Sequence, residues 1–260
     1  MYYPSTLYAR PARLIRRILL SSLLVAFFVS SSVDAQQTRR KRTRTTTTSA
    51  SSGNIADITQ CPDEGMGGDP NLNRRKNIRS DNKRPTLRTL KWMKNLADPT
   101  DFTRQNTSRA PLTRIGEGQK VSVVAYALVA RKGGKESCNC KLSAPKDTDN
   151  HIVLVDPALK SPTLVNSEPD SETAEFTPRV RLDHPNLSRP RLQPLIDGQG
   201  GKLLVRVTGL LLFDSEHFLG NHLKRHNNWE IHPVLKMEYC PEGQTCSGNS
   251  NTNWRSLESR

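Results

Sequence analysis

Between residues 116 and 240 apolar side chains recur at every second position in separate runs, and this period limits the chain more than any other feature. Val121, Val123, Ala125, Ala127 and Val129 alternate with Lys120, Ser122, Val124, Tyr126 and Leu128. Alternation of this kind is the mark of a strand with one buried face. Gly133-Gly134 ends the run with a turn, and His151–Val155 and Thr173–Thr177 read as the second and third strands. The fourth, Leu203–Phe213, sets Leu203, Val205, Val207, Leu211 and Phe213 on one side, with Gly209 placed to permit a bend or bulge. The fifth, Trp229–Tyr239, sets Trp229, Ile231, Leu235, Met237 and Tyr239 against Glu230, His232, Lys236 and Glu238. Between strands three and four lie Leu187, Leu192, Leu195 and Ile196, and Pro190 and Pro194 leave room for a short helix only. Three strands, a short helix and two strands is the element order of the OB-fold. The expected architecture is therefore mainly β: a small five-stranded OB-like Greek-key barrel with a short helix, carried on a disordered basic N-terminal arm. Another small β-sandwich or barrel would satisfy the alternation equally.

The formal net charge of +14 does not belong to this region. Residues 1–60 carry +7 and residues 61–115 carry +6, whereas residues 116–240 carry only +1. A nucleic-acid binder should show its basic footprint on the folded face. Stacking aromatics are also few: Tyr126, Phe176, Phe213, Phe218, Trp229 and Tyr239, several of which the alternation assigns to the core. Nucleic acid is thus disfavoured as the main ligand.

Arg10, Arg13, Arg16 and Arg17 precede an apolar stretch, Ile18–Val29, and Val33-Asp34-Ala35 follows with compact residues at the two recognition positions. This reads as a secretory signal peptide over residues 1–35. The apolar stretch is too short for a span of about 20 residues, so no membrane segment is expected after cleavage. The predicted location is periplasmic or extracellular. Residues 36–60, with Arg39–Arg44 and a Thr/Ser run, read as a disordered tether able to touch an anionic polymer. Residues 61–115 read as an irregular basic arm. Within it, Asp69, Asn71 and Asn73 imitate a calcium loop, but Arg74 and Ser80 stand where that loop needs Gly and Glu, and a side-chain-capped turn explains them better. Arg88–Leu96 is expected to form a short helix packed on the main domain. Residues 241–260 read as a polar tail.

Five cysteines in an exported chain point first to disulfides. Cys240 and Cys246 flank a turn and are expected to bridge. Cys138 and Cys140, two apart, suit two ligands of one metal or two separate bridges, with Cys61 as the spare thiol or a partner for one of them. A zinc reading would complete Cys138 and Cys140 with His151, His217 or His232. Asp214, Glu216 and His217 after strand four, and Glu230 and His232 on strand five, offer carboxylates and imidazoles for acid–base work if they converge near the Cys138–Cys140 loop. No nucleophile elbow, phosphate-binding glycine loop or HExxH pattern is present.

Six pieces of sequence carry a resemblance: Glu136–Cys140, Asp149–Ile152, Thr177-Pro178-Arg179, Val207-Thr208-Gly209, Phe213–His217 and Trp229–Val234. In these, residues 116–240 resemble a group of exported bacterial proteins with an OB-like domain and no assigned reaction. Leu210 stands where that group usually has Trp. The resemblance implies site residues among Asp149, His151, Arg179, Asp214, Glu216, His217, Glu230 and His232. The leading expectation is a non-enzymatic binding or structural module of the cell envelope that needs no cofactor. The alternative is a zinc-dependent hydrolase with a His/Asp/Glu cluster at one end of the barrel.

Overall fold

The computed structural model describes residues 55–99, 102, 108–216 and 224–259. The signal peptide, residues 36–54 of the tether and His217 lie outside the described residues. In chain order the elements are α1 Pro70–Lys76, β1 Thr86–Arg88, α2 Leu90–Lys94, α3 Ala110–Ile115, β2 Lys120–Lys132, β3 Asn150–Val155, α4 Leu164–Ser167, β4 Glu172–Phe176, α5 Pro178–Asp183, α6 Arg189–Gly198, β5 Leu203–Phe213, β6 Trp229–Tyr239 and β7 Arg255–Ser256.

The long strand β2 closes the sheet on itself. Its first two-thirds pair antiparallel with β5 and its second half with β3. From β3 the sheet continues to β4 antiparallel, from β4 to β6 parallel, and from β6 back to β5 antiparallel. These five strands form a closed barrel, and the molecule is mainly β with a few short helices, as the alternation led us to expect. Leu203, Val205, Val207, Leu211 and Phe213 all enter the core, with Ile152 and Leu154 of β3 and Ala174 and Phe176 of β4. A closed barrel leaves few unpaired strand edges, and its inward positions are filled by such side chains.

Two register irregularities change which residues face inward. In β2 the pairing shifts between Ala127 and Val129, so Ala130 enters the core in place of Val129, which packs in an outer cluster with Leu128, Val153 and Val155. In β6 the pairing shifts around Gly209, and Val234 enters the core where Leu235 was expected. One inserted residue flips the parity of everything after it. Gly209 is required here because a Cβ on it would lie 2.4 Å from the carbonyl oxygen of Pro233 and 2.6 Å from Ile231 Cγ2.

The helix α6 is ten residues long and holds Pro194 in its interior, so it runs further than the prolines suggested. A proline there sacrifices one helical hydrogen bond. Burial of Leu192 and Ile196 against the barrel offsets that loss, and Gln193 Oε1 and the Arg189 guanidinium bind the Ala130 backbone.

Residues 61–115 are not a separate arm. They carry α1, β1, α2 and α3, and β1 pairs parallel with β2. Leu90, Met93, Phe102 and Leu112 join the main core, where Phe102 and Trp229 meet Phe213 edge-on at 6.4 and 5.2 Å. The expected helix appears as α2, capped by the Thr89 side chain. Asp69 accepts from the Asn71 backbone N–H at 2.8 Å and caps α1, which accounts for the calcium-like spacing. The tether also ends earlier than residue 60, since Ile58 is buried and its N–H donates to Asp147 Oδ1 at 3.1 Å. Nor is the C-terminal segment a free tail: β7 pairs with β6 and Leu257 is buried in the core. These segments hold too few apolar residues for a core of their own, but they complete the barrel's. Among the described residues no helix is long and apolar enough to cross a membrane.

Candidate functional site

Successive side chains on a strand point to opposite faces. Where Ile152, Ala174, Trp229 and Ile231 point into the barrel, His151, Glu175, Glu230 and His232 therefore point outward from β3, β4 and β6. They are not in solvent. Helix α1, the β2–β3 loop and the segment before β6 cover this face, and Glu230 and His232 are both 0% exposed. The sequence placed Glu230 and His232 opposite the core correctly but implied a polar surface, whereas the added layer buries them.

The buried groups form a ring in which acids and bases alternate. Asp214 accepts from Arg225 Nη2 at 3.1 Å, and Arg225 Nη1 donates to Glu230 at 2.5 Å. Glu230 Oε1 lies 3.1 Å from His232 Nδ1, which is also 3.1 Å from Glu175 Oε2. The same Glu175 oxygen lies 3.5 Å from His151 Nε2, which faces Glu136 at 3.4 Å. Lys76, itself buried, reaches Glu136 at 3.2 Å and Asp214 at 3.9 Å, closing the ring. A buried charge persists only when paired and hydrogen-bonded.

The ring sets the protonation of its members. Burial opposes a charge on His232, but Glu175 and Glu230 outweigh it and hold its pKa well above the ordinary imidazole value. Glu175 likewise raises His151 to about 9 against burial. Burial disfavours ionised Glu136 and Glu175, yet Lys76 and His151 for the first, and His151 and His232 for the second, hold both below the usual carboxylate range.

Asp149 stands beside the ring and is the exception. Both of its oxygens are buried without a hydrogen-bond partner. Burial first, and Glu136 next, push its carboxyl up to about 7. His232 Nε2 is buried without a partner as well. Above the ring an open cavity of about 230 Å³ is lined by Arg131, His151, Glu168, Thr173, Glu175 and Arg225, among others, so His151 and Glu175 join cavity and cluster.

The structure thus brings together Asp149, His151, Asp214, Glu230 and His232 from the residues singled out in the sequence. Glu216 sits at the margin, accepting from Ser137 Oγ at 3.2 Å. Arg179 does not join them: it binds the Cys61 and Pro62 carbonyls and Asp63, and so fastens the N-terminal segment. The cysteine-based metal reading fails. Cys140 is bonded to Cys61, and residues 138–140 form a turn rather than a strand, so the two thiols do not share a face. Cys138 is a buried free thiol whose pKa burial and Asp149 push up, and Cys240–Cys246 bridge as expected. The cluster also lies on the barrel's outer wall, not at its end.

Glu136, Glu175, Arg225 and Lys76 were missed as site residues. Glu175 carried a signal, since it occupies the same outward parity on its strand as His151 and His232 on theirs. Lys76 carried none, because only the packing of α1 brings it here. Comparison with descriptions of protein families, with curated proteins and with solved structures found no match in any of the three. What the geometry defines is a class: a small closed β-barrel with a ring of buried ionised groups on one outer face.

Proposed function

We propose that this is an exported, non-enzymatic binding module of OB-like fold that takes a small polar ligand on the outer face of β3, β4 and β6. The observation that carries the reading is the cavity seated on the buried charged ring. Numbered within the barrel, β3 and β4 are strands two and three, the face on which OB barrels bind their ligands. The parallel pairing of β4 with β6, and the position of α6 between β4 and β5, support that kinship. A cavity of about 230 Å³ suits an ion or a compound of a few heavy atoms rather than an oligomer. No described residue lining it is aromatic, so it offers nothing for bases to stack on. The enclosure of Asp149 and His232 favours holding over turnover, and this ranks binding above the zinc-hydrolase alternative.

Two disulfides are the mark of an oxidising compartment. With the Arg-rich start and apolar stretch of residues 1–35, they support export to the cell envelope. In this reading the Arg39–Arg44 run tethers the module to an anionic polymer.

A thermal-shift screen of inorganic ions and small polar compounds tests the binding reading. At least one should raise the wild-type midpoint by roughly 3 °C, about what saturating a weak site gives a domain of this size. His151→Ala, at the seam of cavity and cluster, should lose most of that shift. No shift with any compound, or an equal shift in both proteins, overturns the reading.

A further inference from the structure

With both imidazoles charged, the ring holds four acids (Asp214, Glu230, Glu175, Glu136) and four bases (Arg225, His232, His151, Lys76), which cancel. Asp149 adds one further buried negative group whose two oxygens are unpartnered. Taking the proton from the unpartnered His232 nitrogen leaves the group two charges short, which one divalent cation would supply. A nitrogen of His232 and one oxygen each of Asp149 and Glu175 lie within 4.8 Å of one another. We propose that these three residues hold a divalent transition-metal ion of the zinc or manganese class; the proposal rests on the same binding face and names its ligand.

Ligand bonds of roughly 2.0–2.2 Å place two ligands of one ion no more than about 4.4 Å apart, so shifts of a few tenths of an ångström bring all three into contact. A mixed imidazole and carboxylate set suits zinc or manganese, whereas calcium and magnesium favour oxygen ligands alone. Glu230 receives the His232 Nδ1–H at 3.1 Å and is itself held by Arg225, which fixes the ring and leaves Nε2 as the nitrogen for the ion. Two neighbouring groupings could also gather three ligand atoms: Glu136, Cys138 and Asp149, and Glu136, His151 and Glu175. Both include Glu136, whose carboxylate already meets the Lys76 ammonium at 3.2 Å, so a positive charge stands there already. Glu175 lines the open cavity and gives the ion its route from solvent.

The experiment uses the full oxidised chain, stripped with a chelator and titrated calorimetrically with Zn²⁺, Mn²⁺, Mg²⁺ or Ca²⁺ alone. One equivalent of Zn²⁺ or Mn²⁺ should bind, with Mg²⁺ and Ca²⁺ weaker by roughly 100-fold or more. Asp149→Asn and His232→Gln should each lower the affinity by at least roughly 30-fold, while Cys138→Ser leaves it unchanged. Co²⁺ should give a visible absorption band in the wild type that Asp149→Asn removes. If Asp149→Asn does not fold, Glu175→Gln provides the same two readouts. Less than half an equivalent of any ion in the wild type overturns the proposal, as does full affinity in the Asp149 or His232 variant, or loss in Cys138→Ser. A small-molecule shift that survives without metal binding sinks the metal site and spares the binding reading. Metal binding with no His151-sensitive ligand does the reverse.

Discussion

Both oxygens of Glu172 are buried at the start of β4 without a hydrogen-bond partner. Burial pushes its carboxyl up to about 8, although Arg225 and Lys94 pull the other way; Asp170 adds a small push upward. A carboxyl whose folded pKa exceeds its unfolded value near 4.5 binds more protons folded than unfolded between the two values. Its stabilising contribution is therefore complete below about pH 4.5 and is lost as pH rises towards about 8. Glutamine copies the protonated form without titrating. Glu172→Gln should thus match the wild type near pH 4.5 and exceed its stability by about 1–3 kcal/mol at pH 8. Urea unfolding at a series of pH values reads this directly, and parallel pH curves for the two proteins would show that Glu172 does not titrate as argued.

At the scale of elements, the segment before the barrel behaves as part of it. Ile58 is 3% exposed, packs beside the Cys61–Cys140 bridge and donates its N–H to Asp147. Burying a side chain of this size contributes about 2 kcal/mol. For a domain of this length that corresponds to roughly 4–8 °C in the thermal midpoint. A chain beginning at Cys61 should therefore melt lower by that amount than one beginning at Ile55. Equal midpoints would return residues 55–60 to the tether. The same reasoning explains why β2 and β6 could be located from their alternation but not fully oriented. A bulge adds a residue without altering composition, so Val129 and Leu235 keep an apolar identity while Ala130 and Val234 take the inward places.

For the whole molecule, charge is divided by function of place. The basic excess lies outside residues 116–240, while the ionised groups that organise the outer face are nearly balanced among themselves. The disulfides join the N-terminal segment to the β2–β3 loop and close a turn after β6, both consistent with folding in an oxidising compartment. If residues 1–35 direct export, intact-mass analysis of the exported protein should show Gln36, free or cyclised, at its N-terminus. A mass that includes Met1 would remove the signal-peptide reading.

Strand number, strand position and the mainly β class followed from a local rule: a strand half-buried in any barrel must alternate, whatever lies on its other side. The rule also placed Glu230 and His232 away from the core, and the turn between Cys240 and Cys246 marked a bridge in the same local way. The closed ring was decided elsewhere. Lys76 comes from α1, Glu136 from the β2–β3 loop, Glu175 from β4 and Arg225 from the segment before β6. Their meeting depends on contacts between residues as much as 149 positions apart, from Lys76 to Arg225. Alternation tells which side of a strand a residue faces, but not whether a second layer covers that side. That layer turns polar residues expected at the surface into buried, paired charges, and only the tertiary structure supplies it.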